Sequence, residues 1–361
     1  MGFIANGGAS FFQMKISKFI FVVGFCSAAF FCNAASATNA LETLPSRFAG
    51  LAAAAEAQQH AAIASQEGWL FLTAELRHLG AGHFWGQDAK TASRSANSEA
   101  ADPLPAILDF NAQLKREGIE LILMPVPPKA ALYADKVLNR ATPPEGASRA
   151  DEADAAFYRV CSEQGLKVLD LGPAFWSARK AEATPLYCKT DSHWSGRGCV
   201  VAAGALSQEI RARAWLDSVP KRVFKSDWRE AEIQGDLADL VDPKAAPEKV
   251  RLRFVTGPDG APGDWRESPV LLLGDSHTLV FHAGEDMHST GAGLADQLAL
   301  ELGFPVDVVG VRGSGATPAR INLLRRKDNL AGKKIVIWCF SAREFTEAPA
   351  GWRLIPVIGK K

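Results

Sequence analysis

The stretch Pro269-Val270-Leu271-Leu272-Leu273-Gly274-Asp275-Ser276-His277 decides the fold. Its first five residues form an apolar run typical of a buried strand, and Gly274 permits a sharp turn at the carboxyl end of that strand. A serine directly after such a turn faces a crevice, so Ser276 is the candidate nucleophile. Asp275 adjoins Ser276, which favours a structural role in the turn as an acceptor of backbone N–H groups.

The candidate base lies in a second short string, Asp191-Ser192-His193. A hydroxyl is a poor nucleophile at neutral pH until a base removes its proton, and the base works best when a carboxylate orients its ring. His193 and Asp191 supply both groups from one loop. His277 is a competing base because it adjoins Ser276, but neighbouring residues on such a turn usually point apart, which favours His193.

Helical and strand patterns alternate through the rest of the chain. Apolar runs predict strands at residues 120–126, 167–171, 270–273, 306–310 and 334–340. Helical patterns occupy residues 48–65, 103–117, 152–164, 198–210, 292–302 and 318–326, and residues 218–268 appear irregular. Strands separated by helices predict a three-layer α/β fold, with a parallel sheet flanked by helices on both faces.

The candidate site residues follow the ends of these strands. Lys129 follows the first strand, Ser276 the third, the segment 312–314 the fourth and Arg343 the last. Ligands of parallel sheets bind beyond the carboxyl ends of the strands, so these positions are expected to converge. The backbone N–H of Ser276 is the first candidate donor to a tetrahedral oxyanion, and Gly313 is the second.

A metal site is an alternative use of the polar residues. The candidate ligands are Asp191, His193, His277, His282 and His288. The last three histidines are five and six positions apart, which does not stack side chains on one helix face as three or four would. We therefore expect neither a metal nor another cofactor.

Charge and the amino end bear on the compartment. Lys+Arg 40 balance Asp+Glu 40 in 361 residues, so no overall charge attracts nucleic acid. Lys15 and Lys18 precede an apolar run at residues 19–31 and then small residues. This pattern predicts a signal peptide over residues 1–37, with an uncleaved anchor as the alternative, and one domain over residues 38–361. Met14 is an alternative start.

Four cysteines remain after the targeting segment: Cys161, Cys188, Cys199 and Cys339. An exported protein favours disulfides over metal ligation, and a Cys188–Cys199 bridge would brace the loop that carries His193. The alternative is that all four are small buried residues. Spacing leaves the choice open.

The sequence resembles the SGNH hydrolase-like family, and within it the periplasmic alginate O-acetyltransferase branch. The resemblance covers about residues 66–345. Beside the strings around Ser276 and His193, it rests on four further stretches: Glu67-Gly68-Trp69-Leu70-Phe71, Pro125-Val126-Pro127-Pro128-Lys129, Lys189-Thr190-Asp191-Ser192-His193-Trp194-Ser195 and Trp338-Cys339-Phe340-Ser341-Ala342-Arg343-Glu344. It implies a flavodoxin-like strand order and a Ser276-His193-Asp191 triad. The chain after residue 345 is too short for the carbohydrate-binding module that some relatives carry.

The resemblance also implies a function. An exported polysaccharide would accept an acetyl group from an acetyl-Ser276 intermediate in the periplasm, with the protein either free or tethered to the inner membrane. The acetyl donor would be a membrane-bound O-acyltransferase system. Polymer biosynthesis proteins would be further partners. Alternatives are a carbohydrate acetyl esterase using the same residues and an inactive polysaccharide-binding assembly protein, although a scaffold has no need of a complete triad. The family's oxyanion asparagine has no clear counterpart, because Asn322 and Asn329 lie in or near a predicted helix.

Three residues are candidates for substrate binding. Arg343 and Lys129 would bring positive charge to the mouth of the crevice, where a guanidinium can bind the carboxylate of a uronic acid through two hydrogen bonds. Arg343 could instead pair with Glu344 or Asp275 and brace the sheet. Trp194 could stack on a sugar ring, although packing is the commoner role of tryptophan. Three other tryptophans are expected in the core: Trp69, Trp85 and Trp338.

Overall fold

The computed structural model describes residues 43–138 and 149–359. The predicted signal peptide, residues 1–37, lies outside the described residues. The strands are, in chain order, β1 Ala62–Ala64, β2 Leu70–Leu72, β3 Glu120–Val126, β4 Lys167–Val168, β5 Lys225–Ile233, β6 Glu248–Thr256, β7 Val270–Gly274, β8 Asp307–Gly310 and β9 Ile335–Ser341. The helices are α1 Leu44–Ala57, α2 Thr73–Gly80, α3 Ala89–Ala92, α4 Pro103–Arg116, α5 Lys129–Leu132, α6 Ala134–Val137, α7 Glu152–Glu163, α8 Gly172–Ala181, α9 Gly196–Arg211, α10 Asp236–Val241, α11 Leu294–Leu302, α12 Thr317–Arg326 and α13 Glu344–Glu347.

A parallel five-stranded sheet forms the centre of the described part, in the order β4-β3-β9-β7-β8. Strands β7 and β9 are buried along their whole length, and β3 is buried beyond its first residue. The sequences of such strands are continuous apolar runs, because other elements cover both faces of the sheet. The predicted bounds of β3 agree with the structure. The predicted bounds of β7, β8 and β9 differ from the observed bounds by at most one residue at each end. The α/β prediction is confirmed.

The strand order corrects one expectation. Numbered along the chain, the five strands lie in the order 2-1-5-3-4, whereas a flavodoxin-like sheet has the order 2-1-3-4-5. When β7, β8, β9, β3 and β4 are numbered 1 to 5, the order from the β8 edge of the sheet to the β4 edge is 2-1-3-4-5. The spatial arrangement of the strands is therefore flavodoxin-like, but the first sheet strand along the chain, β3, takes the position of the fourth strand in that arrangement. No local pattern reports which strands become neighbours.

Two apolar cores lie on the two faces of the sheet. Alternate residues of one strand enter different cores, as Leu272 and Leu273 do, because successive side chains of a strand point to opposite faces. Helices α1, α9 and α11 contribute to one core, and α4, α7 and α12 to the other. Trp69 and Trp338 are buried, as predicted, and Trp85 is half-buried against the second core.

Two local predictions were wrong. The region expected to be irregular contains the antiparallel hairpin of β5 and β6, whose nine residue pairs run from Lys225 with Thr256 to Ile233 with Glu248. Most of β5 is exposed and polar, so it lacks the apolar alternation that marks a strand. The helix expected over residues 48–65 ends at Ala57, because the chain then turns to pair β1 with β2.

The cysteines of residues 149–359 form no disulfide bridge. All four in the described part are buried and free. The Sγ atom of Cys188 lies 3.7 Å from the carbonyl oxygen of Trp194 and does not reach Cys199. The structure thus agrees with the alternative of small buried residues. Among the helices of residues 43–138 and 149–359, none is long and apolar enough to cross a bilayer.

Candidate active site

The turn that carries Ser276 is held against the end of β9. Asp275 accepts hydrogen bonds from the backbone N–H of His277 at 2.8 Å and of Ser341 at 2.7 Å. Burial alone would raise the pKa of Asp275, but the His277 imidazole and these donors hold the pKa at about 2. A Cβ at Gly274 would lie 1.6 Å from the carbonyl oxygen of Cys339, so this approach requires glycine. The predicted structural role of Asp275 is confirmed.

The structure brings Ser276, His193 and Asp191 into one hydrogen-bonded chain. His193 Nε2 lies 2.7 Å from Ser276 Oγ, and His193 Nδ1 lies 2.6 Å from Asp191 Oδ1. With an ionised carboxylate at Nδ1, the neutral ring donates from Nδ1 and can accept the hydroxyl proton at Nε2. All three residues are buried, and Ser276 is the most accessible of them at 9%. The geometry suits nucleophilic activation of a serine.

Four donors converge on the carboxylate of Asp191. Oδ1 accepts the ring Nδ1–H and, at 2.8 Å, the backbone N–H of His193. Oδ2 accepts His288 Nε2–H at 2.8 Å and the backbone N–H of Asp236 at 3.1 Å. Burial would raise the pKa of Asp191, but His193 and then His288 outweigh it and hold the pKa well below its usual range. Burial would lower the pKa of His193, and Asp191 reverses this, so the pKa of His193 is raised.

Two charged side chains, the half-buried Glu248 and the buried Lys129, anchor the loop that carries His193. Glu248 on β6 accepts the backbone N–H groups of Lys189 and Thr190, at 2.8 and 2.7 Å, and the Thr190 hydroxyl at 2.8 Å. The ammonium of Lys129 donates to the carbonyl oxygens of Lys189 and Asp191, each at 2.9 Å. Lys129 is 1% exposed, and burial lowers its pKa to about 8. The expectation that Lys129 lies at the crevice mouth was wrong, because its side chain turns inward beneath the loop.

Trp194 and His277 pack beside the ring of His193. Trp194 is fully buried and meets the ring of His277 edge-on at 5.3 Å. Packing, the commoner role of tryptophan, is therefore what the structure shows, and the candidate role of Trp194 in stacking on a sugar was wrong. Nδ1 of His277 lies 3.1 Å from Asp275 Oδ1, and its ring centre lies 4.8 Å from that of His193. Its hydrogen-bond partner among the described residues is therefore Asp275, and not Ser276.

Arg343 lies half-buried after β9. Its Nη1 donates to Ser341 Oγ at 2.8 Å, and it has no ion pair within 4 Å among the described residues. The alternative pairing with Glu344 or Asp275 is thus not formed. Glu344 instead accepts the Ser314 hydroxyl at 2.5 Å, and burial raises its pKa to about 7. The guanidinium of Arg343 is left with donors for another acceptor.

The loop after β8 contains two glycines with different surroundings. Gly313 is exposed at a φ of +88°, a conformation that favours glycine, with open space around its Cα. Gly315 packs against the turn that carries Ser276, where a Cβ would lie 2.9 Å from the backbone nitrogen of Asp275. Gly313 as an oxyanion donor stays a prediction.

A cluster of possible metal ligands coincides with this site. Asp191, His193 and Asp236 offer ligand atoms within 4.8 Å of one another. These atoms already have partners: both ring nitrogens of His193 are bonded, and the Asp236 carboxylate accepts the backbone N–H and hydroxyl of Ser192 at 2.6 and 2.5 Å. A cation would have to replace these hydrogen bonds, so the donor set suits proton transfer better than a resident metal.

His288 is the site residue whose position the sequence did not indicate. It is one of the candidate metal ligands, but in the structure its ring hydrogen-bonds to a carboxylate 97 positions away. The site as a whole joins the loop of residues 189–193, the turn after β7, the segment of His288 and the end of β9. Of these four segments, that of His288 carried no signal for the position it takes.

Comparison with curated proteins gives relatives of one kind. The probable alginate O-acetylase AlgJ of Pseudomonas putida (strain KT2440) is 28% identical over 183 residues, 47% of this chain and 46% of the relative. The protein of the same name from Pseudomonas fluorescens is 26% identical over 259 residues, 66% of this chain and 62% of the relative. The chain spans about half to two thirds of the length of these relatives.

Solved structures support the same fold. The O-acetyltransferase domain of Pseudomonas putida AlgJ has a TM-score of 0.57 at 21% identity, over 80% of this chain and 93% of that chain. Pseudomonas aeruginosa AlgX has a TM-score of 0.54 at 19% identity, over 78% of this chain and 61% of that chain. Residues 62–342 match the family described as the SGNH hydrolase-like domain of the acetyltransferase AlgX. That match covers most of the chain, and the protein therefore belongs to this family of SGNH hydrolase-like acetyltransferase domains.

Proposed function

We propose that the protein is a periplasmic O-acetyltransferase that acetylates hydroxyls of an exported, alginate-like polysaccharide through an acetyl ester on Ser276. The observation that carries the proposal is the hydrogen-bonded chain from Asp191 through His193 to Ser276, at the carboxyl edge of the sheet. The family and the names of the relatives supply the acetyl group and the polymer class.

The reaction has two halves. In the first, Ser276 Oγ attacks the carbonyl carbon of the acetyl donor while His193 Nε2 takes the hydroxyl proton. The tetrahedral intermediate collapses, and His193 returns that proton to the leaving group. In the second half, His193 removes a proton from the sugar hydroxyl, whose oxygen attacks the acetyl carbon and releases Ser276, which recovers its proton. Asp191 stabilises the imidazolium that forms each time.

The oxyanion would be bound by backbone donors. We assign this role to the N–H groups of Ser276 and Gly313. Neither group has an acceptor among residues 43–138 and 149–359, so both remain available. The site thus has donors for the negative charge that develops in each half-reaction.

The acceptor would be held by Arg343. Its guanidinium has no carboxylate partner in the described part of the chain and can form two parallel bonds with a uronic acid. The acetyl donor would be a membrane-bound O-acyltransferase system, and polymer biosynthesis proteins would be further partners. No cofactor and no nucleic acid enter the scheme.

Mass spectrometry of the acyl-enzyme tests the proposal. The protein is exposed to 4-nitrophenyl acetate, with oligomannuronate or water alone as acceptor. We expect one added acetyl group on the peptide that contains Ser276, no label in Ser276→Ala, and normal labelling in Ser192→Ala, a matched serine in the same site. Faster loss of the label with acetylated oligomannuronate as product supports a transferase, whereas equal loss to water favours the esterase alternative. Persistent labelling of Ser276→Ala would refute the assignment.

A further inference from the structure

The carboxylate of Asp191 is bound from both sides by imidazole rings. His193 Nδ1 lies 2.6 Å from Oδ1, and His288 Nε2 lies 2.8 Å from Oδ2. The triad itself uses only the first contact. His288 reaches the carboxylate from the segment that follows the short turn Glu285–Met287, and it remains mostly buried.

The backbone of His288 is held in an unfavourable conformation. Its φ is +70°, a positive value at which a residue other than glycine is strained. Two hydrogen bonds close the segment around it, from Phe281 N to Met287 O at 2.8 Å and from Gly284 N to Ser289 O at 2.9 Å. The ring also lies 5.9 Å from that of Phe281. The fold thus maintains a strained residue that directs an N–H group onto Asp191.

A carboxylate that orients a base must not rotate. If Oδ2 lost its donors, the group could turn about its Cβ–Cγ bond and move Oδ1 away from His193 Nδ1. The backbone N–H of Asp236 also binds Oδ2, but at 3.1 Å it is the longer of the two contacts. An N–H donor on Oδ2 therefore fixes the plane of the carboxylate as the charge on His193 changes.

We propose that His288 is a positioning residue for acyl transfer: its Nε2–H holds Asp191 so that Oδ1 stays on His193. The inference rests on the proposed role of Ser276 as nucleophile. His288 touches neither the acetyl group nor the acceptor in this scheme. Its contribution acts through Asp191 and should appear in both half-reactions, because His193 is the base in each.

Two substitutions of matched size separate the donor from the backbone. His288→Gln keeps an N–H group at the position of Nε2, whereas His288→Met has a similar length and no donor, and both bear the same strain at φ +70°. The rate of Ser276 acylation by 4-nitrophenyl acetate is measured for each. We expect His288→Met to be slower by about 10- to 100-fold, the range for losing hydrogen bonds that orient metal-bound histidines. We expect His288→Gln to recover most of the rate.

A spectroscopic readout addresses the same contact directly. The proton between His193 Nδ1 and Asp191 Oδ1 is expected to give a low-field resonance in proton NMR spectra, because the two atoms lie 2.6 Å apart. It should persist in His288→Gln and shift or broaden in His288→Met. His288→Gly relieves the strain and removes the donor, so it should unfold at a higher temperature than His288→Met yet acylate as slowly. If His288→Met does not fold, the acylation rate of His288→Gly takes its place in the comparison with His288→Gln.

The outcomes are distinguishable. Wild-type rates in both the Met and Gly variants would overturn the inference and leave the proposed function intact. A folded His288→Gln variant as slow as His288→Met would also overturn it, since the donor would then not matter. If the wild-type protein is not acylated at Ser276, the proposed function fails and the inference fails with it.

Discussion

The ammonium of Lys129 lies 2.9 Å from the carbonyl oxygen of Asp191, beneath the loop that carries His193. The same ammonium lies 5.4 and 5.3 Å from the ring centres of Trp69 and Phe71. Burial costs an ammonium much of its hydration, and carbonyl oxygens and aromatic faces partly replace the lost water. The geometry of the loop that carries His193 therefore depends on a buried cation, Lys129, which directly follows β3 in the chain.

Lys129→Met should weaken this loop. The carbonyl oxygens of Lys189 and Asp191 would lose their donor, at a cost of roughly 1–3 kcal/mol for each unsatisfied group. We expect a lower free energy of unfolding in denaturant titrations and slower acylation of Ser276. Lys136→Met is the matched control, because the Lys136 ammonium pairs with the exposed Glu67 and donates to neither the Lys189 nor the Asp191 carbonyl oxygen. Equal effects of the two substitutions would contradict this role of Lys129.

Asp191→Asn should reduce the acylation rate by about ten thousandfold, the loss typical of a serine triad whose base takes the wrong tautomer. Asp236→Asn is the control, since Asp236 reaches Asp191 through its backbone N–H and keeps that bond. Stopped-flow measurement of 4-nitrophenol release gives both rates. A modest loss in Asp191→Asn would remove this residue from the triad.

The pH profile should report His193. The ring must be neutral to accept the proton of Ser276, and Asp191 raises the pKa of His193 above its ordinary 6.5. As the pH falls through this raised pKa, the ring becomes charged and the rate declines. We expect the acid limb of kcat/KM to lie above pH 6.5 and to move to lower pH in Asp191→Asn. An acid limb below pH 6 in the wild-type protein would contradict the assignment.

Glu344 should make stability fall as the pH rises. Burial raises its pKa from 4.5 to about 7, so the folded state binds the proton more tightly than the unfolded chain. Its contribution is therefore complete below about pH 4.5 and is lost as the pH rises to about 7, by about 3 kcal/mol in all. Glu344→Gln should gain stability over wild type at pH 8 but little at pH 4.5, in denaturant titrations. Glu163→Gln, at the exposed end of α7, should change neither value.

Arg343→Gln should raise the KM for oligomannuronate by at least about tenfold, because a hydrogen bond to a charged group is worth roughly 1.5–3 kcal/mol. A neutral oligosaccharide acceptor should be affected little. Arg312→Gln is the control, since Arg312 is exposed and already pairs with Asp286. An equal loss with neutral and charged acceptors would show that Arg343 does not recognise a carboxylate.

Several features followed from local patterns alone. The apolar run before Gly274 predicts a buried strand and a sharp turn, and the bounds of β3 follow from the same kind of run. The hydrogen bond between Asp191 and His193 joins residues two positions apart. These features are readable because the groups that create them are neighbours in the chain, and burial on both faces leaves a continuous apolar signature.

The remaining features arose from contacts between distant segments. The approach of His193 to Ser276 was inferred from strand ends and a family resemblance, but its 2.7 Å geometry joins positions 83 apart. The inward turn of Lys129 and the hydrogen bond from His288 had no local signal. The direction and the partners of a side chain depend on the space and the hydrogen-bonding groups that the other elements leave around it. That is decided only when the strands take their order in the sheet and the two cores close over it.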